Sequence, residues 1–190
     1  MAIIETRIFT RPDTTVDFHY NISTPTLDAV KAALKPYHDS GAITSVFSLS
    51  EDGLTRTSVT TLIDLTSFAI KETIALLALD AEYVLYDTEH NHQTSSYSLT
   101  GIDAPFTYTN VYTFPSAGLS VHDALIDQIN NKNTKNSTNL TNLTVTDTVI
   151  TVIHTYSNSE NYTENYWFDF NLAPDLHSAG VTRTITCAMV

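Results

Sequence analysis

One order of elements runs along this 190-residue chain twice, and that repetition limits the folds open to it more than any single motif does. Ile8-Phe9-Thr10-Arg11-Pro12 closes an extended stretch near the start, and Val111-Tyr112-Thr113-Phe114-Pro115 closes another in the second half. Each reads as a strand ended by proline, which cannot donate to a sheet ladder. Helical patterns follow. Leu27, Val30, Leu34 and Tyr37 share one face, with Thr24 as N-cap, Pro25 at the first helical position and Gly41 as terminator. Val121, Leu125 and Ile129 form the second stripe, capped by Ser120 with Asp123 three residues on. A strand pair comes after each helix. Ile43 to Leu49 alternates, Glu51-Asp52-Gly53 turns, and Leu54 to Asp64 returns. Later, Leu143 to Tyr156 reads as one long β-branched strand, Ser157 to Asn161 as its turn, and Tyr162 to Phe170 as its return. Ser67 to Ala81 predicts a further helix, matched by a short one over Pro174 to Ala179 that Gly180 stops. The halves close on strands, Tyr83 to Tyr86 with a polar extension to Leu99, and Val181 to Val190.

The order β-α-β-β-α-β, twice, is that of the ferredoxin-like split βαβ unit, in which two helices cover one face of a four-stranded antiparallel sheet. The expected fold is therefore α+β, a tandem duplication with one repeat over 1–101 and the other over 102–190, joined near Gly101 to Pro105. Two such sheets can bury their bare faces against each other or pair edges into one longer sheet. The alternative is an all-β sandwich with two helices. Charge is shared between the halves: 6 Lys and Arg against 13 Asp and Glu in the first, 3 against 8 in the second.

The formal net charge of −12 disfavours nucleic acid and anionic membrane surfaces, since binding either needs a basic face. Only 16% of residues are charged, against about 25% in an ordinary soluble domain, while 42% are hydrophobic, enough for a core. Thr, Ser and Asn fill the difference. Met1 to Arg7 carries an acid early and lacks a long apolar stretch, so no secretory signal is expected. Without one, the five N-x-S/T sequons at Asn21, Asn136, Asn139, Asn142 and Asn161 read as a by-product of Asn and Thr richness. Asn130 to Asn139, within the 130–142 stretch, reads as a polar loop. The lone Cys187 sits among Ile185, Thr186 and Ala188 and reads as a packed strand residue.

Asp87-Thr88-Glu89-His90-Asn91-His92 is the densest titratable run. On a strand His90 and His92 share a face, offering two imidazoles to a metal; two ligands alone are not a site, and a polar surface segment is the simpler reading. His154 lies in an apolar run as a core or interface histidine, and His19 between Phe18 and Tyr20 as a strand residue. Asn161 to Phe170 gathers the one Trp with four other aromatics, so Tyr162, Tyr166 and Trp167 are candidate interface residues. No nucleophile elbow, phosphate loop, dinucleotide fingerprint or Cys-Cys metal spacing is present, so no catalytic residue and no cofactor are assigned.

The segment Met1-Ala2-Ile3-Ile4-Glu5-Thr6-Arg7-Ile8-Phe9-Thr10-Arg11-Pro12-Asp13, with Thr, Asn and Tyr-rich strands behind it, resembles small virion structural proteins of tailed marine bacteriophages. The resemblance implies a non-enzymatic head or tail accessory protein, assembled in the host cytoplasm, that associates with copies of itself and with other virion structural proteins. Low charge with abundant Thr, Asn and Tyr suits surfaces that neighbours cover. Two alternatives stand beside it. Tandem ferredoxin-like units resemble dimeric α/β-barrel enzymes that bind apolar ligands, with His19, His38 or His154 as acid or base. A glycan-binding module would use Tyr162, Tyr166 or Trp167.

Overall fold

The computed structural model describes residues 2–14, 24–81, 94–136, 140–162 and 172–190. In the first half, strands β1 (Ile3–Thr10), β2 (Ile43–Leu49), β3 (Thr55–Leu62) and β4 (Thr94–Thr100) form one antiparallel sheet in the order β2-β3-β1-β4. Helices α1 (Thr24–Asp39) and α2 (Leu65–Ala81) connect them. The second half repeats the plan. Strands β5 (Phe106–Thr113), β6 (Leu140–Val145), β7 (Val149–Tyr156) and β8 (Thr182–Met189) take the order β6-β7-β5-β8, with helices α3 (Ser120–Asn136) and α4 (Ala173–Ser178). The chain is α+β, a duplicated ferredoxin-like βαββαβ, and not a sandwich with incidental helices.

Local chemistry sets the boundaries. Ser67 is the fourth residue of a reciprocal cap and not the start of α2: its N–H donates to Asp64 Oδ1 at 2.7 Å, while its Oγ accepts from Asp64 N–H at 3.1 Å. Residues 101–105 lead from β4 to β5, and only glycine fits at their head. Gly101 has φ of 94°, and a Cβ there would stand 2.2 Å from the Ala2 carbonyl oxygen.

Three boundaries in the second half differ from expectation. The run read as one strand from Leu143 to Tyr156 is itself a hairpin, β6 and β7, turning at Thr146 to Thr148. Thr146 closes that turn, its N–H donating to the Val149 carbonyl at 2.8 Å and its Oγ1 accepting from Val149 N–H at 3.0 Å. Second, the Asn-rich stretch extends α3 as far as Asn136, because no Gly or Pro interrupts it. Third, Ser159–Asn161 is a 3-10 turn. The strand expected over Tyr83 to Tyr86, and most of that expected over Tyr162 to Phe170, lie outside the described residues.

The halves meet in a way the repeat alone does not suggest. Among the described residues neither the bare faces nor the edges pair; instead α2 of the first half lies beside β8 of the second, on the face that α3 and α4 also cover. The reason is length. α4 has six residues, about 9 Å of helix, and cannot cover strands of eight residues, about 27 Å. α2 is rich in apolar residues without a single polar face, which suits a helix packed between two layers, and its Lys71 and Glu72 are polar exceptions within it. One core thus crosses the chain: Ile3, Ile43, Leu62, Phe68 and Leu99 pack with Phe106, Tyr108, Tyr156, Tyr162 and Ile185. A second cluster, with Tyr112, Leu125, Ile129, Ile150, Val152 and Leu176, lies under α3 and α4. Among the described residues no helix is long and apolar enough to cross a membrane.

Candidate functional site

The densest chemistry lies where α2 sits between the sheets. Glu5, on β1, is buried with its carboxylate held from two sides: Arg7 Nε donates to Oε1 at 2.7 Å, and Lys71 Nζ donates to Oε2. Lys71 Nζ also donates to Glu72 Oε1 at 2.8 Å. Glu72 is buried and faces the second half, where its Oε2 accepts from the hydroxyls of Tyr162 at 3.0 Å and Tyr108 at 3.3 Å. Adjacent positions on α2 lie about 100° apart around the helix axis, so Lys71 reaches Glu5 of the first sheet and Glu72 reaches Tyr108 of the second, while the two side chains still meet each other. The network runs Arg7, Glu5, Lys71, Glu72, Tyr108 and Tyr162, with two cations balancing two carboxylates.

Its electrostatics favour permanence over turnover. Burial pushes the Glu5 carboxyl up, but Lys71 and Arg7 together outweigh it and hold the group below its ordinary range. Burial works against the charge on Lys71, and Glu5 and Glu72 more than restore it. The Tyr108 hydroxyl is driven well above its ordinary value by burial and then by Glu72. Cys187, which faces Tyr108 across the β5–β8 ladder, is raised by the same two causes. Tyrosine and thiol therefore stay protonated at neutral pH, which suits hydrogen-bond donors and not nucleophiles. An aromatic cage surrounds the network: the Tyr162 ring lies 5.4 Å from Phe68, 5.6 Å from Tyr108 and 5.2 Å from Tyr156.

A second polar group lies further along the covered face of the second sheet. Arg183 is buried and donates through Nε and Nη2 to Asn110 Oδ1 at 3.1 and 3.0 Å, with its guanidinium 5.1 Å from the Tyr112 ring centre. His154 is buried opposite Tyr108 and stacks near Tyr156. Burial first, and the positive Arg183 second, pull its pKa down to about 4, so the ring is neutral at pH 7.

Of the residues singled out from sequence, Tyr162, His38 and His154 are among those described. Tyr162 is no surface anchor: it is 4% exposed and spent on Glu72 inside the chain, because the 3-10 turn before it tucks the ring between the halves. Tyr166, Trp167, His90, His92 and His19 lie outside the described residues. His38 is exposed on α1. Among the described residues no group of three or more His, Cys, Asp or Glu could hold a metal. Glu72 escaped the sequence reading because its partners stand 36 and 90 residues away; the signal available was a Lys-Glu pair inside a largely apolar helix.

No family model matches the sequence, and no curated protein matches it. Solved structures align over its whole length at low similarity. A candidate glycine cleavage system transcriptional repressor is 8% identical over 100% of this chain and 98% of its own, with a TM-score of 0.26. An unknown protein from Galdieria sulphuraria is 9% identical over 100% of both chains, at 0.25. A candidate monooxygenase from Lactobacillus acidophilus is 8% identical over 100% of this chain and 93% of its own, at 0.31. Scores this low leave the strand order itself as the ground for the fold.

Proposed function

We propose that this chain is a non-enzymatic structural protein of a virion, a head or tail accessory that assembles with copies of itself or with a larger shell or tube protein. The observation that carries this reading is the chemistry of the two sheet faces turned away from the helices. On the first sheet that face consists of Ile4, Thr6, Ile8 and Thr10 of β1, their β3 and β2 neighbours such as Thr57, Val59 and Val46, and Ser96 and Ser98 of β4. On the second it consists of Thr107, Thr109, Val111 and Thr113 of β5, with Thr151, Ile153 and Thr155 of β7 and Thr182, Thr184 and Thr186 of β8. Neither face carries a charged residue, in a chain of net charge −12. By strand spacing each measures about 20 Å by 25 Å.

Such faces lose water at modest cost. β-branched methyl groups gain from burial, hydroxyls hydrogen-bond laterally, and no ion has to be desolvated. The resemblance of residues 1–13 to phage structural proteins supplies the setting, and the buried, charge-balanced network at α2 supplies rigidity without a reactive group. Mass spectrometry of purified virions from the source tests the claim: the protein is expected among their components, and its absence overturns the virion assignment. Light scattering of the purified chain is expected to give a mass several times that of one copy.

A further inference from the structure

Each sheet ends in two edge strands, and unprotected edges invite pairing. Three of the four are managed. α2 lies along β8, where Thr73 Oγ1 accepts from Ile185 N–H at 3.0 Å, a donor the sheet leaves over. β4 packs beside the 3-10 turn. β6 carries a register shift between Leu140 and Asn142, an irregularity that disfavours further pairing. Among the described residues β2 has none of these protections. Ile43–Leu49 contains no charge and no proline, pairs with β3 in unbroken register, and has no other strand beside it among the described residues. Val46, Phe47 and Leu49 on it are 66%, 60% and 59% exposed.

We propose that β2 is the self-association seam of this protein, pairing antiparallel with β2 of a second copy about a two-fold axis at Val46. The proposal rests on the assembly reading above and names the contact it uses. The strand is self-complementary in that register. Ile43 stands opposite Leu49 of the second copy, Thr44 opposite Ser48, Ser45 opposite Phe47, and Val46 opposite itself, with every pair on matching faces. Charge selects the same arrangement. The acids of the adjoining turn, Glu51 and Asp52, come opposite Gly41 and Ser40 of the second copy, whereas a parallel in-register pair would set each acid against its own copy. The isologous contact joins two four-stranded sheets into one of eight and merges two charge-free faces.

The test uses the full chain, followed by sedimentation velocity from about 1 to 100 μM, the range in which modest edge pairing is read. The wild type is expected to form dimers or multiples of them. Val46→Lys sets two lysine side chains on Cβ atoms about 5 Å apart at the axis, where their like charges repel, and is expected to weaken association at least about tenfold, with circular dichroism and melting unchanged at low concentration. Val46→Cys is expected to yield a disulfide-linked dimer under mild oxidation, since paired Cβ atoms lie within bridging distance. Ser48→Cys, whose two copies lie about 14 Å apart, is expected not to. A wild type that stays monomeric throughout overturns both the seam and the self-assembly reading. Oligomers that survive Val46→Lys, or that cross-link through Ser48→Cys and not Val46→Cys, overturn the seam alone.

Discussion

The two sheets share one strand order and differ in what lies under their helices. The covered face of the second is mostly packed apolar and aromatic surface, where Phe106, Tyr108, Tyr112, Ile150, Val152, Tyr156 and Ile185 are buried, interrupted only by the buried Asn110, His154 and Arg183. The covered face of the first buries Ile3, Ile43, Leu62 and Leu99 at one end; beyond them it is largely polar, with Glu5, Thr60, Ser45, Ser58, Arg7 and Arg56 beside the half-buried Phe9 and Tyr97, and then exposed Phe47 and Leu49. Duplication has preserved topology and not the core. The second sheet, whose own second helix is six residues long, borrows α2 from the first. α2 must then satisfy a polar sheet on one side and an aromatic one on the other, and Lys71 and Glu72 are how it does so.

The strongest way to break that comparison is to remove the group that serves the aromatic side. Glu72→Ala strips a carboxylate from two buried tyrosine hydroxyls and from Lys71, and is expected to cost about 3–5 kcal/mol in urea unfolding. A loss below about 1 kcal/mol would mean that the halves do not depend on α2 as a shared element.

Acid should expose the second sheet in another way. His154 has its folded pKa pulled to about 4, below the ordinary value near 6.5, so protonation favours the unfolded chain. The stability this group contributes is complete above about pH 6.5 and is lost as pH falls toward 4, by up to about 3 kcal/mol. The depressed Glu5 carboxyl of the first sheet adds its loss at lower pH, in the same direction. In His154→Leu the decline between pH 6.5 and 4 should flatten, while the Glu5 portion remains; an unchanged profile in that variant would refute the assignment.

Much of this architecture was legible in the sequence, and the parts that were not share a cause. Helix and strand order followed from periodicity and from Pro25, Gly41, Gly53 and Gly180, each of which marks a boundary locally. The β6–β7 turn was hidden because Thr146-Asp147-Thr148 lacks glycine and interrupts an unbroken β-branched run; it is fixed from outside, where His122 Nε2 donates to the Thr146 carbonyl at 2.8 Å. Tyr162 sits in a run of aromatics that reads equally as core or as surface, and only its 3.0 Å bond to a helix of the other half decides. Contacts between repeats leave no local signature, because each partner looks ordinary in its own segment.

A smaller intervention asks how tightly α2 is bound to the edge of the second sheet. Thr73→Val keeps the shape and removes the oxygen that accepts from Ile185 N–H. About 1 kcal/mol is expected, measured by thermal or denaturant unfolding, together with faster amide hydrogen exchange at Ile185. Slow exchange there in the variant would mean that the edge is protected by packing and not by this bond.

The least disruptive change addresses the open end of the first sheet. Phe47 faces the helix side yet remains 60% exposed, with the Arg56 guanidinium 5.1 Å from its ring centre. An exposed cation–π contact is worth about 0.5–1 kcal/mol at most, and little apolar area is lost with the ring. Phe47→Ala is therefore expected to change monomer stability by no more than about 1 kcal/mol at low protein concentration, where no second copy contributes. A buried aromatic on the second sheet would cost several times as much under the same truncation. If Phe47→Ala proved equally costly, the first sheet would have to be covered as fully as the second, and the asymmetry between the halves would disappear.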